Sequence, residues 1–248
     1  MSKSIYIFGF HSIESVLSSS PELVIRVLIQ KGRKDKRIIN LTNTLNSHKI
    51  LYSISDKFNL DKISKGEVHQ GVVSEVMIQP IQSEESFFHS IAMFDQKSMI
   101  LILDSIQDPR NLGACLRSAN AAGVSHVVIN KDGSAPINAL VHRTSAGAIN
   151  SLQIFHVTNL SRTIKQIQER DIWVVGLDGN SQSSIYNVNL TGSIAIVVGS
   201  EGKGIRPLVK KTCDQLVSIP MSGNVESLNV SVATAISLFE IKRQRESS

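Results

Sequence analysis

Three polar stretches carry the side chains that could bind a ligand and act on it. Residues 103–117 read Leu-Asp-Ser-Ile-Gln-Asp-Pro-Arg-Asn-Leu-Gly-Ala-Cys-Leu-Arg and place Asn111 and Arg117 at the start of a helix. Residues 197–207 hold three glycines, Gly199, Gly202 and Gly204, around Glu201. Glycines at that density let a backbone approach a ligand closely and adopt positive φ. Residues 216–231 form an apolar strand stopped at Pro220, which has no N–H for a sheet ladder. A polar loop follows, and Asn229 or Ser231 is placed to cap a helix running to about Arg243, with Val232, Ala235, Ile236 and Phe239 as one apolar face. Each loop alone is equally an ordinary strand–helix connection, and Arg117 alone is equally a solvated helix arginine. Three such loops at strand ends point to one ligand, because open α/β sheets bind ligands there.

These loops need a parallel sheet to hold them. Short apolar runs at 99–103, 126–129, 152–156, 172–177, 194–198 and 216–219 read as six strands. Helical patterns at 111–122, 138–146, 159–169 and after Ile205 lie between them. Near-continuous apolar strands alternating with helices imply a parallel sheet covered on both faces. Upstream, a smaller α/β unit spans residues 1–78. Its apolar helical face is Ile13, Val16 and Leu17, its second helix carries Ile38, Leu41 and Leu45, and Ser55 is placed to cap a third. Residues 79–85 have a linker composition, so the expected plan is 1–78, a linker over 79–96, and a larger domain over 97–248.

The totals narrow the class. The chain has 248 residues, 42% of them apolar, enough for a proper core. A net charge of +5 favours a polyanion partner only weakly. Aromatic residues at 5% argue against stacking as the main binding mode. Cys115 and Cys213 form no CxxC pair, and the histidines show no metal-ligand spacing, so neither a disulfide framework nor a metal site is expected. No apolar run reaches the length of a membrane span and no signal core is present, so a cytoplasmic protein without membrane contact is expected. The glycine loop is neither a P-loop nor a dinucleotide fingerprint.

Taken in order, the three stretches resemble the signature motifs of the SpoU family of RNA ribose 2′-O-methyltransferases, of the SPOUT class. Asn111-Leu112-Gly113 with Arg117 resembles the first motif and Val198-Gly199-Ser200-Glu201-Gly202 with Gly204 the second. Ile219-Pro220-Met221 through Ser227-Leu228-Asn229-Val230-Ser231 resembles the third. Gly9-Phe10-His11 and His69-Gln70-Gly71-Val72 are similar to the ends of a small RNA-binding domain related to ribosomal proteins L7Ae and L30e. Phe10-His11-Ser12-Ile13-Glu14 departs from that pattern, which bears on target choice rather than on chemistry.

The resemblance implies an α/β fold with a C-terminal trefoil knot, a homodimer, and S-adenosylmethionine as methyl donor, contacted by Gly199, Ile219 and Leu228 largely through backbone atoms. It implies Arg117, Asn111, Glu201, Ser227 and Asn229 as the catalytic set. The substrate it implies is RNA, a guanosine in the peptidyl-transferase region of 23S rRNA. A guanidinium keeps its proton in proteins, so Arg117 is read as stabilising charge on the 2′-oxygen rather than as a base. A tRNA ribose methyltransferase is the alternative within the family, and the separate N-terminal domain argues against it. A non-catalytic RNA-binding protein would need disrupted motifs. A dehydrogenase would need a glycine fingerprint where this chain has Asp108-Pro109-Arg110-Asn111.

Overall fold

The computed structural model describes residues 4–78, 80–93, 98–225 and 227–247. In chain order the elements are β1 (Ser4–Phe8), α1 (Phe10–Ser19), β2 (Val24–Gln30), α2 (Lys36–Ser47), β3 (Tyr52–Ser55), α3 (Lys57–Ser64), β4 (Val72–Met77), α4 (Glu84–Ile91), β5 (Met99–Asp104), α5 (Pro109–Ala122), β6 (His126–Asn130), α6 (Ala139–Thr144), β7 (Gln153–Val157), α7 (Leu160–Gln168), β8 (Trp173–Leu177), β9 (Ile194–Gly199), α8 (Pro207–Thr212), β10 (Gln215–Val217) and α9 (Val230–Glu246). The chain divides into one unit of Met1–Pro80 with Ile137–Ser151 and another of Ile81–Pro136 with Leu152–Ser248.

The first unit is built on a four-stranded sheet in the order β1-β4-β2-β3. β4 runs antiparallel to β1 and β2, and β2 runs parallel to β3. Alternation along β2 sends Val27 and Ile29 into a core with Ile13, Leu17, Ile38 and Leu45, and sends Leu28 to the other face with Leu60 and Val73. Asp56 caps α3, accepting the Asn59 N–H at 2.7 Å. Ser55 was expected there, but it is the last residue of β3, and the carboxylate one residue later reaches the free N–H group. His69 accepts the Gly71 N–H at Nδ1 (3.0 Å) and meets Asp61 through Nε2 (2.9 Å), which fixes the turn into β4. Residues 137–151 join this unit although they fall inside the span expected for the larger domain. The Ser15 hydroxyl donates to the Ala146 carbonyl at 2.7 Å, and Arg143 pairs with Glu67.

The second unit holds a six-stranded parallel sheet in the order β10-β8-β9-β5-β6-β7. Every residue of the two central strands, β5 and β9, is buried, as expected of strands covered on both faces. Part of the stretch read as a linker belongs to this core. Ser83 caps α4, Glu84 and Glu85 fill its first turn, and Phe87 and Ile91 are buried, with Phe87 set edge-on to Phe155 at 5.2 Å. The polar run is therefore a helix start, where carboxylates complement the helix dipole. Gln79 and residues 94–97 of the expected linker lie outside the described residues.

The last helix is turned from its expected orientation, with Ala235 and Ile236 of the expected face half-buried. Val230, Thr234, Ser237, Leu238 and Ile241 are buried, whereas Val232 and Phe239 are 45% and 44% exposed. α9 packs on α5, where Thr234 lies 3.5 Å from the sulfur of Cys115. The small residues Thr234 and Ser237 allow that approach and leave Val232 and Phe239 outside.

The tightest backbone contact in this unit lies at Gly199. A Cβ there would sit 2.0 Å from the Gly204 carbonyl carbon and 2.1 Å from the Ile205 nitrogen. Backbone atoms cannot swing aside as a side-chain tip can, so any side chain at 199 must push the two segments apart. Gly199→Ala is expected to lower stability by about 3 kcal/mol, the upper end for overpacking. Gly192→Ala, where nothing lies within 4 Å, should stay within about 0.5 kcal/mol. Urea unfolding of the two variants measures the contrast, and equal stabilities would contradict the contact.

Candidate active site

The candidate site lies at the carboxyl ends of β5, β9 and β10. Asp104 and Gly199 are the last paired residues of β5 and β9. After β5, the side chain of Asp108 accepts the Arg110 N–H at 2.8 Å and Pro109 takes the first helical position, which starts α5. Leu112, Cys115, Leu116 and Ala119 then face the core, Asn111 stays half-buried and Arg117 is exposed. After β9, the chain makes a tight loop closed by the Gly204 N–H on the Ser200 carbonyl at 2.8 Å, with Gly202 and Gly204 at positive φ. Past β10, Ser218 bridges to Ser184, and the chain then runs to Asn229, the cap of α9.

One side chain draws the three loops together. The amide oxygen of Asn229 accepts the Ser231 N–H at 2.9 Å and the Ser231 hydroxyl at 2.6 Å. Its amide nitrogen donates to Asn111 Oδ1 at 3.1 Å and to Glu201 Oε1 at 2.5 Å. The cap requires the oxygen to face the helix, so the NH2 group must face the other two loops. Both donors and both lone pairs are then used. Asn111, Glu201 and Asn229, picked from separate parts of the chain, thus meet. Arg117 makes no hydrogen bond or ion pair among the described residues, and neither Asn111 nor Glu201 touches it. Ser227 is exposed, while Ile219 and Leu228 are half-buried. Among the described residues of 219–228, none takes part in a hydrogen bond, so their N–H and C=O groups are available to a ligand.

Two charged residues had no assigned role from sequence. Asp104 ends β5 fully buried and accepts the Arg206 backbone N–H at 2.8 Å and its Nε–H at 2.6 Å. The available signal was a carboxylate closing an otherwise apolar strand, since a buried charge demands a partner. The thiol of the buried Cys115, behind the site, is pushed up to about 11 by burial, and that of the half-buried Cys213 to about 12 by burial and the nearby Asp214 and Asp104, which disfavours the thiolate at both. Burial holds His126 and His142 neutral, with pKa values lowered to about 4. Among the described residues no group of three His, Cys, Asp or Glu side chains could hold a metal ion.

The Asn229 bridge makes a testable prediction. Asn229→Asp keeps the cap but sets a carboxylate against Glu201, and should cost about 1 kcal/mol. Asn229→Asp/Glu201→Gln exchanges donor and acceptor and should recover most of that loss. Urea unfolding checks both, and additive losses in the double variant would contradict the bridge.

Two family models match the chain, and the longer runs straight through residues 137–151, which cluster with the first unit. The model of the SpoU rRNA Methylase family matches residues 98–239, and the model for RNA 2'-O ribose methyltransferase substrate binding matches residues 6–80. The 23S rRNA (guanosine-2'-O-)-methyltransferase RlmB of Escherichia coli strain K12 is 45% identical over 239 residues, covering 96% of this chain and 98% of that protein. The RlmB of Haemophilus influenzae is 46% identical over 246 residues, 99% of each chain. In fold, the chain is similar to the SpoU methyltransferase AviRb from Streptomyces viridochromogenes, solved with the cofactor AdoMet. The TM-score is 0.81 at 23% identity, covering 99% of this chain and 91% of that one. With its parallel sheet, its three converging loops and a family match over more than half its length, the chain belongs to the SpoU rRNA methylase family.

Proposed function

We infer that this chain transfers a methyl group from S-adenosylmethionine to the ribose 2′-hydroxyl of a guanosine in the peptidyl-transferase region of 23S rRNA. The observation that carries the reading is the Asn229 bridge, which gathers one polar side chain from each loop in a chain 45% identical, end to end, to an enzyme of that name. Identity across both units favours an rRNA substrate over tRNA, and intact polar groups in all three loops favour an enzyme over a binding protein.

The residues present suit the donor. S-adenosylmethionine, when bound, supplies an electrophilic methyl group on a sulfonium. Gly199, Ile219 and Leu228 would hold its adenosine and methionine parts by main-chain groups, which the absence of hydrogen bonds among the described residues of 219–228 supports. Glu201 adds a negative charge beside those groups, suited to a cationic ligand. Arg117 stabilises negative charge building on the 2′-oxygen, and the proton leaves to water or an RNA phosphate. Asn111 and Asn229 set the edge on which the ribose rests, and Ser227 donates to the ribose or its phosphate. The first unit, with its Lys and Arg side chains between β2 and α2, holds the RNA backbone.

The same reading includes a trefoil knot, a homodimer and action in the cytoplasm, where ribosomal RNA is assembled. The exposed Val232 and Phe239 support a second copy lying on α9. No helix among the described residues is long and apolar enough to cross a membrane.

Cells lacking the protein should lose one ribose methyl, at a guanosine of 23S rRNA. The wild-type chain should restore it, and Arg117→Ala should not. Mapping of ribose methylation tests both, and full restoration by Arg117→Ala would remove Arg117 from the mechanism. Sedimentation at micromolar concentration should give a dimer that Phe239→Glu dissociates. A wild-type monomer would discard the α9 interface.

A further inference from the structure

We propose that Asp104 and Arg206 are a positioning pair that sets the glycine loop 199–205 for the methyl donor. The proposal rests on the reading of the loops as a donor site, and it concerns two residues outside the polar trio.

Asp104 is the last residue of β5, beside Gly199 on β9, and its carboxylate has no exposure to solvent. A buried carboxylate without a partner carries a large desolvation penalty, so its partner is held firmly. Besides the Ser105 hydroxyl, which donates to Oδ1 at 3.1 Å, that partner is residue 206, gripped twice: Oδ2 takes its main-chain N–H at 2.8 Å and Oδ1 takes Nε–H at 2.6 Å. The grip fixes both the position of the backbone and the plane of the guanidinium. The side chain of Arg206 is otherwise 51% exposed, so the pair is one-sided, buried at the acid and wet at the base.

The strand end on which Asp104 sits is itself locked. Ser105 stands at φ 62, an uncommon conformation for serine, and its N–H donates to Asn130 Oδ1 at 2.7 Å. The Ser134 hydroxyl donates to the same oxygen at 3.0 Å. The turn leaving β5 is thus tied on one side to β6 and, through Asp104, on the other to residue 206. Between Gly199 and Arg206 the chain is held by the Ser200–Gly204 bond, by the backbone of Gly204–Ile205 lying against Gly199, and by the Ile205 side chain buried in the core. The buried Ile205 side chain fixes the depth of the loop's far end, and the Asp104 carboxylate sets the direction in which the chain leaves it. Glu201, at the loop's tip, reaches Asn229 only from that position. A core ion pair serving stability alone need not hold a main-chain N–H at the exit of a ligand loop.

The test uses the full-length protein, S-adenosylhomocysteine as calorimetric probe and a 23S rRNA fragment as second ligand. Arg206→Ala should bind S-adenosylhomocysteine about tenfold more weakly, as expected for one charge-assisted hydrogen bond, with RNA affinity within about twofold of wild type. Added methylguanidinium should restore much of the lost affinity, because the vacated site still presents the buried carboxylate. If Arg206→Ala fails to fold, Arg206→Lys, which keeps the charge and the main-chain bond, gives the same readout. Unchanged S-adenosylhomocysteine affinity would overturn the proposal. A loss that methylguanidinium does not recover would overturn it too, as would a fall in RNA affinity alone, which would make Arg206 an RNA contact. A wild-type protein that binds S-adenosylhomocysteine yet methylates no rRNA would sink the functional reading and leave the pair standing.

Discussion

At Gly199 two backbones lie against each other with no side chain between them, and the second unit is arranged around that approach. β9 is buried along its whole length, so its end cannot move to make room. The returning chain at Gly204–Ile205 must pass within van der Waals contact of it. Once that crossing is made, the loop tip carrying Glu201 points toward the start of α9, and the Asn229 amide can bridge to it and to Asn111. Glycine is required at 199 for lack of space rather than for a left-handed φ, whereas Gly202 and Gly204 are needed for their dihedrals.

The proposed donor site would recognise its ligand mostly with main chain. Among the described residues of 219–228 no peptide group takes part in a hydrogen bond, so their donors and acceptors are open to a ligand. The side chains that remain do different work. Asn229 joins loops, Asp104 and Arg206 anchor one of them, and Arg117, exposed on α5, is available to RNA. The three positioning side chains are bound to protein, and the one proposed for chemistry is not.

Much of this was legible from the chain alone, for identifiable reasons. Strands β5, β6, β8 and β9 are continuous apolar runs, so their existence and parallel arrangement followed from composition. Asn111, Glu201 and Asn229 are singled out by the resemblance of their loops to the SpoU motifs, which the residue pattern of any one loop does not supply. The orientation of α9 did not follow, because its buried face mixes Thr234 and Ser237 with Val230, Leu238 and Ile241, while Val232 and Phe239 of the expected stripe face outward. Hydrophobic period marks a stripe but does not say whether the chain's own core or another surface covers it. α4 was hidden because a capping serine and two first-turn glutamates have the composition of a linker. The clustering of residues 137–151 with the first unit depends on long-range contacts such as Ser15 to Ala146, which no local pattern encodes.

The most direct test of the central claim is a crystal structure of the full-length protein with S-adenosylhomocysteine bound. The account predicts the ligand among the three loops, its adenosine and amino-acid groups bonded to main-chain atoms of Gly199, Ile219 and Leu228. A ligand seated away from these loops, or held there chiefly by charged side chains, would contradict it.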